Sequence, residues 1–112
     1  MTRTHGTPLY EAPEILEGND EDYTNKVDVY SFGITMAYVA DGKEPFTELS
    51  FKNTWQFAKF VTEGKRPVIT HESELPPEYM SLMHSCWDAD ATKRPDFNYI
   101  VKTLNNIIDS LQ

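Results

Sequence analysis

Residues 6–14 read Gly-Thr-Pro-Leu-Tyr-Glu-Ala-Pro-Glu, or GTPLYEAPE. Gly6 and Pro8 interrupt any helical period, so residues 1 to 11 are expected to be extended or looped. Pro13 changes the pattern, because a proline at a first helical position forfeits no hydrogen bond. Glu14, Ile15 and Leu16 follow it and Gly18 ends the run, which predicts a short helix. The acidic run Glu17-Gly18-Asn19-Asp20-Glu21-Asp22 then reads as a solvated loop.

Further along, Thr24 is a plausible cap for a helix from about Asn25 to Ala40, with Gly42 just beyond it as a stop. Its apolar residues, among them Val27, Val29, Tyr30, Phe32, Ile34, Met36, Tyr38 and Val39, surround the axis. That pattern predicts a central helix buried on all sides, with one acid, Asp28, inside the apolar run. Ser50 can cap a third helix in which Phe51, Trp55, Ala58 and Val61 share one face, ending near Gly64. Phe57 and Phe60 fall off that stripe and read either as a wider apolar face or as an exposed docking patch. A fourth helix is expected from Pro77 to Trp87 with Tyr79, Leu82, Met83 and Cys86 inward. A fifth begins at Pro95 or Asp96 and repeats Phe97, Ile100, Val101, Leu104, Ile107, Ile108 and Leu111 at three and four residues. No stretch reads as a paired strand.

The 112 residues fit one globular domain, and the net charge of -8 argues against a general phosphate-backbone binder or an anionic-membrane surface. No run is long and apolar enough for a transmembrane helix, and Met1 is not followed by a signal-peptide core. The single cysteine excludes an internal disulfide framework and suits a reducing compartment, so a cytoplasmic or otherwise intracellular location is expected. Metal chemistry finds no support: His84 and Cys86 are two apart and diverge on a helix, and His5 and His71 lack ligand-spaced partners. Cys86 on an apolar face reads as a small hydrophobe rather than a nucleophile. The five glycines are scattered singly, so no phosphate-cradling loop is present.

What remains is charge beside large apolar residues, in GTPLYEAPE, in Asp28-Val29-Tyr30-Ser31-Phe32-Gly33 and in Cys86-Trp87-Asp88 through Lys93-Arg94-Pro95-Asp96-Phe97. Buried charges must be paired or hydrogen-bonded. Glu14 and Arg94 carry opposite signs beside prolines that fix their backbones, so a buried bridge between them is the economical expectation. These three stretches, in this order, resemble the C-terminal lobe of a eukaryotic protein kinase, from the end of the activation segment to the last helix. The fold class implied is mainly α, a partial protein-kinase-like fold. Residues 1–14 would be the activation-segment end and substrate loop, and 15–112 the helical lobe.

The resemblance implies roles residue by residue. Glu14 would pair with Arg94. Thr7 would lie in the loop that receives the substrate residue after the phosphoacceptor, a loop shaped by Gly6, Pro8 and Tyr10. Asp28 would accept hydrogen bonds from the backbone of a catalytic loop. Thr2 and Thr4 stand where the family often carries activating phosphorylation, and they read equally well as ordinary loop threonines. Gly-Thr-Pro-x-Tyr resembles serine/threonine kinases, and Cys-Trp before Arg-Pro-x-Phe is similar to the tyrosine-kinase-like group. Ala91, where such kinases often carry proline, departs from the pattern.

The complete domain implied would use ATP and Mg²⁺ on protein substrates. This sequence holds no glycine-rich loop, ATP-contacting lysine, His-Arg-Asp or Asp-Phe-Gly motif, so no catalytic, cofactor-binding or metal residue is expected in it. Alone, the chain is expected to be inactive and marginally folded, its partner being the N-terminal lobe and catalytic loop of the parent domain. The alternative is a non-catalytic, pseudokinase-like interaction module presenting the substrate loop and the Phe57/Phe60 region.

Overall fold

The computed structural model describes residues 9–16, 18, 25–46, 53–70 and 74–111. Among these residues the regular structure is helical, with no strand: α1 (Pro13–Leu16), α2 (Asn25–Asp41), α3 (Thr54–Thr62), α4 (Pro77–Cys86) and α5 (Phe97–Ser110), with a 3₁₀ turn at Ala91–Lys93. Pro13 opens α1, where its missing N–H costs nothing. The Ala12 carbonyl accepts from the Ile15 and Leu16 amides, and Gly18, at φ +87°, closes the turn onto the Ile15 carbonyl.

α2 is the core element. Val27, Val29, Tyr30, Gly33, Ile34, Met36 and Ala37 are buried, whereas Asp28, Thr35, Tyr38 and Val39 are exposed. Residues seven and eleven apart return to the same angular position on a helix, so the exposed residues form one open strip. The expectation of burial on all sides is therefore corrected. Tyr38 and Val39 share the outer side with Asp28 and Thr35 and so mask it as apolar, and Val39 is 68% exposed. Gly42, at φ +71°, ends the helix with its amide on the Tyr38 carbonyl. The proposed cap Thr24 lies outside the described residues.

α4 packs across α2. Leu82, Met83 and Cys86 are buried as their spacing predicts, and Tyr79 donates its hydroxyl to the Met36 carbonyl at 2.7 Å. α5 is capped by Asp96, whose side chain accepts from the Tyr99 amide at 2.8 Å. Ile100 and Ile107 turn inward, while Val101, Ile108 and Leu111 on the flank of the same apolar face are exposed.

α3 departs from the expected register. Its cap is Asn53, which accepts from the Gln56 amide at 2.8 Å, not Ser50, which like Phe51 lies outside the described residues. Phe57 and Val61 are buried, and Phe46 meets Phe57 and Phe60 edge-on at 5.2 and 6.1 Å. Trp55 is instead 73% exposed, with the Lys59 ammonium 5.9 Å from its ring centre. Two overlapping stripes compete on this helix, and the aromatic ring of Phe46 decides for the one carrying Phe57 and Phe60. Phe57 is thus a core residue, and Phe60 packs half-buried against the same cluster.

Candidate substrate-loop anchor

Glu14 lies in the first turn of α1 and Arg94 follows the 3₁₀ turn, in extended backbone at φ -75° and ψ 139°. Pro95 disfavours helical backbone at the residue before it, so Arg94 leaves the turn as an extended strand of chain. That geometry sends its guanidinium inward, where it is 2% exposed. Nη1 donates to Glu14 Oε2 at 2.8 Å and Nη2 to Oε1 at 3.0 Å, a bidentate bridge. Two further donors are also used: Nη1 to the Lys26 carbonyl at 3.0 Å and Nε to the Asp88 carbonyl at 2.8 Å. Lys26 in turn donates through Nζ to the Arg94 carbonyl. The bridge therefore joins α1, the start of α2 and the α4–α5 connection at one point.

Burial raises the Glu14 carboxyl pKa, but the Arg94 hydrogen bond, its own backbone amide and the charges of Arg94 and Arg66 outweigh it. The net effect holds Glu14 below the ordinary carboxylate value. The lead into α1 is fixed as well. Ser31 donates to the Tyr10 carbonyl at 2.7 Å, and the Tyr10 hydroxyl donates to Glu44 at 2.9 Å. Tyr10 is thereby tied by its backbone to the central helix and by its ring to the loop beyond it.

Of the residues singled out from sequence, the structure brings Glu14 and Arg94 together and places Tyr10 beside α2. Asp28 is on the exposed strip of α2. Gly6, Thr7, Pro8, Thr2 and Thr4 lie outside the described residues. Cys86 is buried, and burial pushes its thiol up to about 11, so the reading as a small hydrophobe holds.

Two residues at the bridge were not foreseen. Tyr30, fully buried, lies under the Arg94 guanidinium at 5.2 Å from ring centre to Cζ, and the Arg66 guanidinium lies over the same ring at 5.2 Å. Burial pushes the Tyr30 phenol up to about 12 against the lowering effect of both arginines. A sequence signal for Arg66 did exist, since Lys-Arg-Pro occurs twice, at 65–67 and at 93–95.

The sequence that carries the bridge matches a known family. The model for protein tyrosine and serine/threonine kinases matches residues 2–104. The chain belongs to the protein kinases. A protein of Acanthamoeba polyphaga mimivirus named as a serine/threonine-protein kinase/receptor is 43% identical over 93% of this chain. A LIM domain-containing serine/threonine-protein kinase of Dictyostelium discoideum is 39% identical over 99% of it, and another serine/threonine-protein kinase of that organism is 40% identical over 96%. The chain spans only 6%, 16% and 11% of the lengths of these three relatives. The helices described here are those of the kinase C-terminal lobe.

The family implies ATP and Mg²⁺ for the complete domain. Among the described residues no group of side chains fits them. The glycines stand singly, and no three histidine, cysteine, aspartate or glutamate side chains group around a metal position among the described residues. Nor, among those residues, is any helix long and apolar enough to cross a membrane.

Proposed function

We propose that this chain is the substrate-facing helical portion of a serine/threonine protein kinase, a transferase of the ATP γ-phosphate to protein hydroxyls. The observation that carries this reading is the bidentate Glu14–Arg94 bridge. It clamps the first turn of α1 to the far end of the lobe, and the segment entering that turn is Gly6-Thr7-Pro8-Leu9-Tyr10. In this reading Gly6, Thr7, Pro8 and Tyr10 form the loop that receives the substrate chain, and the Ser31 and Glu44 bonds to Tyr10 hold its exit fixed. Asp28, on the open strip of α2, supports the backbone of a catalytic loop supplied by the remainder of the domain. Thr2 and Thr4 are candidate phosphorylation sites in the segment before the loop.

The chain contributes rigid positioning, which is most of what a phosphoryl-transfer enzyme asks of its protein. It contributes no group that touches the phosphates, so alone it transfers none. The test joins this chain to the N-terminal portion of a related serine/threonine kinase. The chimera should label protein serine or threonine from ATP, and Thr7→Val or Glu14→Gln should reduce that labelling at least tenfold. Labelling of tyrosine, or labelling indifferent to both substitutions, would overturn the reading. A calorimetric titration of the 112-residue chain showing micromolar Mg²⁺–ATP binding would overturn the claim of inactivity alone.

A further inference from the structure

Arg66 makes an unusual set of contacts for a cation between two helices. Nε donates to the Trp87 carbonyl at 2.9 Å, and Nη1 donates to the Val61 and Lys65 carbonyls at 3.0 and 2.7 Å. These carbonyls belong to the last turn of α3, the segment after it and the C-terminal cap of α4, where helix dipoles favour a positive charge. The side chain therefore joins the ends of two helices. Its guanidinium also lies over Tyr30, 5.2 Å from the ring centre, matching the distance of Arg94 from that ring. Tyr30 is fully buried, and its hydroxyl has no hydrogen-bond partner among the described residues. A phenol held there at the cost of an unsatisfied oxygen is present for its ring.

We propose that Arg66 is a positioning residue for the substrate loop: with the ends of α3 and α4 as its anchor, it fixes the Tyr30 ring, which fixes the guanidinium that Glu14 grips. Lys-Arg-Pro at 65–67 and at 93–95 then delivers two arginines to one aromatic ring, one bound to three carbonyls and the other to a carboxylate and two carbonyls. Arginine suits both places because its planar fork can stack on a ring while its edge donates hydrogen bonds, which a lysine ammonium cannot do together. The link to the loop rests on the reading of Glu14 as the loop's anchor; the link from Arg66 to Arg94 does not.

The experiment is nuclear magnetic resonance on the 112-residue chain with labelled arginine side chains. The Arg94 Nε–H, which donates to the Asp88 carbonyl from a buried guanidinium 5.2 Å from the Tyr30 ring centre, should give a ring-shifted, slowly exchanging resonance. Arg66→Lys and Arg66→Gln should both move that resonance and speed its exchange at least fivefold. Tyr30→Phe, which keeps the ring, should leave it protected. If Arg66 serves only to hold α3 and α4, its substitution lowers the thermal midpoint but leaves the Arg94 signal unmoved, and the proposal fails. It fails equally if the unsubstituted chain shows no shifted, protected Arg94 signal. If Arg94 responds while the Gly6 and Thr7 amides do not, the coupling stands and the reading of Glu14 as the loop's anchor falls instead.

Discussion

Gly33 on α2 and Cys86 on α4 approach so closely that a Cβ built on the glycine would stand 2.9 Å from the Cys86 Cβ, and 3.3 Å from the Met83 carbonyl oxygen and the Trp87 nitrogen. At an open helix position glycine to alanine gains up to about 1 kcal/mol of stability. Here backbone atoms block the methyl, so Gly33→Ala is expected to destabilise by about 1–3 kcal/mol, as overpacking does. Urea unfolding, with Thr35→Ala on the open strip as the comparison, checks the sign.

The Glu14–Arg94 bridge predicts an asymmetry between single and double replacements. Glu14→Gln leaves a guanidinium buried without its carboxylate, a loss of about 3–5 kcal/mol for a buried pair. Glu14→Gln with Arg94→Met should cost less than the two single effects added. Additive losses in a double-mutant cycle would mean that the bridge contributes nothing as a pair.

The same carboxylate sets an acid limit. Its pKa is lower folded than unfolded, so the bridge's contribution is fully present above the unfolded value and is lost as pH falls through the folded one. Stability should decline below about pH 4.5, the ordinary glutamate value. Glu14→Gln should flatten that decline in a pH series of thermal midpoints.

Tyr30 sets the alkaline limit with the opposite sign. Its pKa is raised in the folded state, so stability is full below pH 10 and is lost as pH rises toward about 12. Tyr30→Phe removes both the titration and the unpartnered hydroxyl, and is expected to be neutral or stabilising by about 1 kcal/mol. Tyrosinate absorbance against pH should lose a late-titrating component on this substitution.

Cys86 offers a probe of opening. Buried, with its thiol raised to about 11, it should resist alkylation at pH 8 while the lobe is closed. Its labelling rate should then follow unfolding as denaturant is added; full labelling within minutes in water would indicate a molten lobe.

How much of this was legible in the sequence differs from helix to helix. α5 was readable because Ile100, Leu104 and Ile107 repeat on one face and Asp96 is a strong cap. Glu14 and Arg94 were readable because opposite charges beside prolines in apolar surroundings have few other outcomes. α3 was misread: Trp55 and Phe57 are both large and apolar, and only the position of Phe46 decides which turns inward. The open strip of α2 was hidden because Tyr38 and Val39 are as apolar as its buried residues. Arg66 was not singled out, since the Trp87 carbonyl reaches it only when α3 and α4 have packed.

The two partners of the bridge stand 80 positions apart. At a synthesis rate of about 5–20 residues per second, the carboxylate waits roughly 4–16 s for its arginine to be made. During that interval the Ser31 and Glu44 bonds to Tyr10 can already form, but the ionic clamp on α1 cannot. The clamp on α1 closes only once the Lys-Arg-Pro at 93–95 has been made.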